Sequence, residues 1–130
     1  MLKTLGLIKL LIYTLNPTPK RVHTYAERIG IQEAKIVTAQ SIGECGWDYE
    51  SYNARVRNNI FGMRSGKVTE SNPNGYTIYE NWTESVRYYL DWQNRRDVHG
   101  NYYGYLIRRG YNHHKGYVSY IRMIEKKLTN

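Results

Sequence analysis

Helical spacing, cut into short lengths by proline and glycine, is the feature that most limits how this chain can fold. Leu2–Leu15 reads as a first helix stopped by Pro17 and Pro19, because proline lacks the amide hydrogen an interior helical residue donates. Val22–Ile29 reads as a second, with Gly30 at the left-handed position that ends many helices. A third runs from about Gln32 to Cys45 and sets Ile36, Val37, Ala39, Gln40 and Gly43 along one side. Further on, Asn81 followed by Glu84 forms a capping box, and Trp82, Val86, Tyr89, Leu90 and Gln93 recur at helical spacing. Tyr102–Arg109, ended by Gly110, and a stretch carrying Tyr117, Ile121, Ile124 and Leu128 complete the helices. Between them, Lys67–Glu70 and Tyr76–Tyr79 are short strand-like runs around Ser71–Gly75, whose Pro and Asn-Gly are hairpin chemistry. The expected fold class is mainly α (α+β), with one small β-hairpin.

No repeat or Ser/Gly linker divides the 130 residues, so a single domain over 1–130 is expected, with residues 1–19 as a helix and Pro-containing linker packed on it. Apolar residues at 41% and aromatics at 14% can support a core despite a net charge of +8, which argues against disorder. The single Cys45 excludes a disulfide scaffold within the chain. The apolar run Leu5–Leu15 is interrupted by Lys9 and falls short of the ~20 residues a spanning helix needs, so no stable membrane insertion is expected. It has the basic start and apolar middle of a signal peptide, but Asn16-Pro17-Thr18-Pro19 offers no small-x-small cleavage site, so a packed helix is the preferred reading. The positive charge calls for an anionic partner: nucleic acid, an anionic membrane or an anionic cell wall.

Glu44 is the first candidate for chemistry. It follows Gln40 by one helical turn, near the side of the helix that Ile36 and Val37 bury, and a desolvated carboxyl holds its proton as a general acid requires. Gly43 and Gly46 remove side-chain bulk for an approaching substrate, and Trp47 offers a flat face for a sugar ring. A water-exposed Glu beside a helix-ending Gly46 is the competing reading. Tyr102, Tyr103 and Tyr105 are expected not to face inward together, since three positions in four span much of a helix's circumference. Cys45 reads as a small buried residue and His113-His114 as a surface loop, with no metal site expected.

Ala39-Gln40-Ser41-Ile42-Gly43-Glu44-Cys45-Gly46-Trp47, followed by Asn58-Asn59-Ile60-Phe61-Gly62-Met63, resembles the bacterial and phage glucosaminidase family, glycoside hydrolase family 73. Gly75–Trp82 with Ser85 and Tyr88, and Gly110-Tyr111 with Tyr117, are similar to two further blocks of that family, in the same order. Cys45 departs from the family's usual Ser, and Met63-Arg64 from its usual Ile-Lys. The resemblance implies a lysozyme-like helical domain with a β-lobe, acting on a β-1,4 glycosidic bond next to N-acetylglucosamine in peptidoglycan without a cofactor. It implies Glu44 as catalytic acid, Asn59, Phe61 and Gly62 in the turn that shapes the groove, and Tyr79, Tyr111 and Tyr117 near the sugar. Glu70 is the candidate second carboxylate and Glu80 the reserve; the substrate's own acetamido oxygen, oriented by a Tyr, is the alternative.

Two competing functions stay open at this level. One is a catalytically silent peptidoglycan-binding component of a phage virion. The other is a nucleic-acid-binding module, suggested by Arg95-Arg96 and Arg108-Arg109 but lacking any zinc, homeodomain or RNP signature. The enzyme reading expects a monomer or a virion subunit, working as a phage lysin, a virion-associated protein or an exported bacterial protein.

Overall fold

The computed structural model describes residues 15–95, 98 and 100–128. Among them are six helices: α1 Pro19–Arg28, α2 Ala34–Cys45, α3 Tyr52–Arg55, α4 Trp82–Asn94, α5 Tyr102–Arg109 and α6 Tyr117–Lys127. The chain is mainly helical, as the lysozyme-like reading expects. The helix expected over Leu2–Leu15 lies outside the described residues except for Leu15. No helix among the described residues is long and apolar enough to cross a membrane.

Pro19 opens a helix rather than only closing one. The Thr18 hydroxyl accepts the Arg21 amide at 3.1 Å, and Pro19 sits in the first turn, where a missing N–H costs nothing. Gly30 follows α1 with φ +89°, the expected left-handed stop. Asn81 caps α4 by accepting the Glu84 amide, and Gly110 ends α5 with φ +65°.

α2 is the centre of the structure, packed between α1 and α6. It does not bury one side, as its spacing suggests; Ala34, all of Ile36–Ile42 and Cys45 are buried. A helix buried on nearly every face must satisfy its polar side chains internally. Thr38 and Ser41 do so by donating to the Ala34 and Thr38 carbonyls, each at 2.7 Å, and Ser41 also bonds the Tyr49 hydroxyl at 2.7 Å. The Cys45 thiol lies 3.4 Å from the Ile60 carbonyl, and burial pushes its pKa up to about 11, the behaviour of an inert core thiol.

Gly43 makes room for α6, not for substrate. A Cβ there would come within 2.7 Å of Ile121 Cδ1 and 3.3 Å of the Tyr120 ring.

The expected hairpin is a turn-rich lobe, with two isolated antiparallel bridges and no extended strand among the described residues. Its main pairing also differs: Ser65 donates to the Gly75 carbonyl and Thr77 to the Met63 carbonyl, each at 3.0 Å. Lys67–Glu70 instead lead into a tight turn in which Thr69 and Asn72 pair with each other. Asparagine amides do much of what a strand ladder would do. Fully buried Asn59 donates to the Met63 and Thr77 carbonyls at 2.8 and 2.9 Å and accepts the Met63 amide at 3.0 Å. Asn72 clasps both backbone groups of Tyr76, and Asn58 donates to the Tyr79 carbonyl at 3.0 Å. Bonds to side chains tie the lobe at fixed points without requiring paired extended backbone.

Tyr102, Tyr103 and Tyr105 are all buried, at 4%, 6% and 2% exposure, against expectation. α5 is held on more than one side. Tyr105 donates to the Gln93 carbonyl at 3.3 Å toward α4, while Tyr103 donates to Glu125 at 2.6 Å on α6.

Candidate active site

Glu44 lies in the last turn of α2, where the chain leaves the helix at Gly46 with φ +87°. It borders a cavity of about 450 Å³ walled by Phe61–Arg64 and Tyr76 of the lobe, Trp92 of α4, and Gly110–His113 after α5. Glu44 opens to this cavity and is exposed as a residue, yet the protein around its carboxyl displaces enough water to raise its pKa. The Arg64 guanidinium opposes that shift in part. Among the described residues lining the cavity, Glu44 is the only carboxylate.

Gly62 is fitted to Glu44. With φ +67°, it occupies backbone that disfavours any side chain, and a Cβ there would overlap the Glu44 carboxyl. The lobe therefore approaches the acid as closely as backbone allows.

The inner wall is aromatic. Trp92 stands edge-on to Tyr111, with ring centres 5.1 Å apart, and Tyr111 stacks on Tyr117 at 6.0 Å. The Tyr111 hydroxyl donates to the Phe61 carbonyl at 3.3 Å, tying the loop after α5 to the lobe turn. Behind this wall runs a buried polar chain. Gln40 donates to Tyr117 at 3.0 Å and accepts from Tyr89 at 2.5 Å; Tyr89 bonds Tyr102 at 2.7 Å, and Gln93 donates to Tyr102 at 2.9 Å. One glutamine of α2 thus fixes tyrosines of α4 and α6. Burial holds the Tyr89, Tyr111 and Tyr117 hydroxyls far above the ordinary tyrosine range, so they act as neutral hydrogen-bonding groups.

Comparison with known protein families matches residues 20–130 to Glucosaminidase, described as mannosyl-glycoprotein endo-beta-N-acetylglucosaminidase. The chain belongs to the glucosaminidase family. It is a glycoside hydrolase of the endo-β-N-acetylglucosaminidase type, whose substrate is the peptidoglycan of the bacterial cell wall. No curated protein and no solved structure gives a significant match.

Of the site residues expected from sequence, the glucosaminidase brings Glu44, Phe61, Gly62 and Tyr111 to one cavity, with Tyr117 directly behind Tyr111. Asn59 is not on the cavity surface; its amide holds the lobe turn from inside. Tyr79 packs beside Tyr88 at 6.1 Å, away from the lining. Trp47, only three residues beyond Glu44, borders a different cavity, because Gly46 redirects the chain between them. Glu70 is exposed next to the Thr69–Asn72 turn, and Glu80 borders a third cavity together with Asp48, Glu50 and Arg55. Neither acid lines the cavity that holds Glu44.

Seven lining residues of the glucosaminidase escaped the sequence reading as site residues: Met63, Arg64, Tyr76, Trp92, Gly110, Asn112 and His113. Arg64 and Tyr76 stood within or beside recognised blocks, and they pair, with the guanidinium 5.0 Å from the ring centre. His113 belongs to the expected surface loop, but it packs back against Gly110, whose lack of a side chain admits the imidazole. Trp92 gave no signal beyond helical spacing. Among the described residues no cluster of His, Cys, Asp or Glu has the arrangement of a metal site.

Proposed function

We propose that this chain cleaves the β-1,4 bond on the reducing side of N-acetylglucosamine in the glycan strand, with Glu44 as the general acid. The observation that carries this reading is a carboxyl with a raised pKa, facing a cavity large enough for sugar and free of any other lining acid. Glu44 would give its proton to the glycosidic oxygen as the bond from that oxygen to the anomeric carbon breaks. The sugar would develop positive charge, and the face of the ring opposite the leaving oxygen needs an electron pair.

The cavity lining favours the substrate's acetamido oxygen for that role over Glu70. The acetamido carbonyl would bond to the anomeric carbon as the leaving oxygen departs. Water would then open the resulting ring, returning a proton to Glu44 and restoring the acetamido group. Tyr111, which lines the cavity beside Glu44, is the tyrosine best placed to orient it, with Tyr117 supporting it from behind. Trp92 and Tyr76 supply flat apolar faces for sugar rings. Action at the wall is supported further by the net charge of +8, whether the protein arrives as a phage lysin, a virion component or an exported protein.

The second group is tested with two substitutions and two substrates. Glu70→Gln retains activity on acetylated peptidoglycan, whereas wild type loses it on glycan whose glucosamine has been N-deacetylated. Loss of activity in Glu70→Gln equal to that in Glu44→Gln would return the second role to Glu70.

A further inference from the structure

The residue that sequence placed in the sugar site, Trp47, lines a separate cavity of about 700 Å³ that shares no lining residue with the one at Glu44. Lys20 and His23 of α1, Lys35 of α2 and Lys127 at the end of α6 surround it, with Trp47 42% exposed. Among the described residues no carboxylate lines this cavity, and no acid forms an ion pair with any of the three lysines. Glu33, Asp48 and Glu125 stand within two residues of the lining without joining it, and Glu27 stands beside His23 at 3.6 Å.

Local helix stability accounts for Lys127, in the last turn of α6 where the dipole favours a cation, but not for the other two lysines. Lys20 and Lys35 fall in the first turns of α1 and α2, where the helix dipole favours negative charge, and neither first turn carries an acid. Trp47 leaves a broad aromatic face open to water beside these lysines.

We propose that this cavity is a second binding site, for a polyanionic, sugar-bearing polymer of the cell wall. The lysines meet the repeating charges and the Trp47 face stacks on a sugar ring. Because the site is separate from Glu44, its occupant touches no reacting atom. It holds the enzyme on the wall while the glycan strand is cut elsewhere on the surface. The proposal rests on the wall as the place of action, so its test must separate binding from hydrolysis.

The test uses the full chain and a Lys20→Glu/Lys35→Glu/Lys127→Glu variant. Tryptophan fluorescence is titrated with a glycosylated poly(glycerol phosphate), with polygalacturonate and with duplex DNA, at one ionic strength. The expected result is saturable binding of the polyol phosphate, weakened roughly tenfold or more by the charge reversal. The variant hydrolyses peptidoglycan stripped of anionic polymers at the wild-type rate, but is slower on walls that retain them. Preferential binding of polygalacturonate supports the site with carboxylate in place of phosphate. Equal binding by wild type and variant overturns the proposal, as does tighter binding of DNA, or equal loss of activity on stripped and unstripped walls. Failure of the wild type to hydrolyse stripped peptidoglycan overturns the hydrolase reading instead, and the polymer titration still decides the cavity.

Discussion

Gly62 and Glu44 occupy space that no other residue at position 62 could share, because a Cβ on Gly62 would fall on the Glu44 carboxyl. Gly62→Ala must therefore displace the acid, the lobe or both, and it also adds a side chain at φ +67°. A displacement on the order of 1 Å costs about 100-fold in rate. The strained backbone costs about 1–2 kcal/mol of stability. Hydrolysis rate and thermal melting of the same sample check both; a variant with wild-type activity would show that this contact does not position the acid.

The pH dependence follows from the two influences on Glu44. Desolvation raises its pKa and Arg64 lowers it, so removing the cation in Arg64→Met raises it further. A general acid works while protonated, and the alkaline limb of the pH–rate profile therefore moves to higher pH in Arg64→Met. An alkaline limb that stays in place would mean that another group sets it.

Stability should move opposite to activity at Glu44. Its folded pKa is raised above the ordinary carboxyl value of 4.5, so its contribution is complete below that pH and is lost as pH rises through the folded pKa. Glu44→Gln removes the ionisation, and the variant melts higher than wild type at pH 7, with the difference closing at acid pH. A lower melting temperature at pH 7 would contradict the desolvated carboxyl.

Tyr89→Phe tests the buried polar chain. It leaves Gln40 Oε1 without the 2.5 Å hydrogen bond and removes the bond to Tyr102. An unsatisfied buried acceptor costs about 1–3 kcal/mol, read as a lower urea midpoint at unchanged slope. A midpoint equal to that of wild type would show that the network carries no net stability.

Much of the helical framework was readable because its signals are local. Gly110 ends α5 where its position predicts, and Asn81 with Glu84 starts α4. Phe61, Gly62 and Tyr111 were reached through ordered blocks, not spacing alone. What escaped depends on contacts between distant residues. In the structure, Tyr89, Tyr102, Tyr103 and Tyr105 serve a buried hydrogen-bond system, which no local pattern reveals. The lobe lost its expected strands because Asn59 and Asn72 clasp the backbone, a use of asparagine that resembles ordinary turn chemistry in sequence. Trp47 parted from Glu44 at one glycine dihedral.

The central claim is that Glu44 gives the proton that breaks the glycosidic bond. It is tested most directly by digesting purified peptidoglycan with wild type and Glu44→Gln and identifying the released fragments by mass spectrometry. The wild type should release fragments with N-acetylglucosamine at the new reducing end, and Glu44→Gln should lose about 100-fold or more of that release while remaining folded. Release by a folded Glu44→Gln at the wild-type rate would contradict the account.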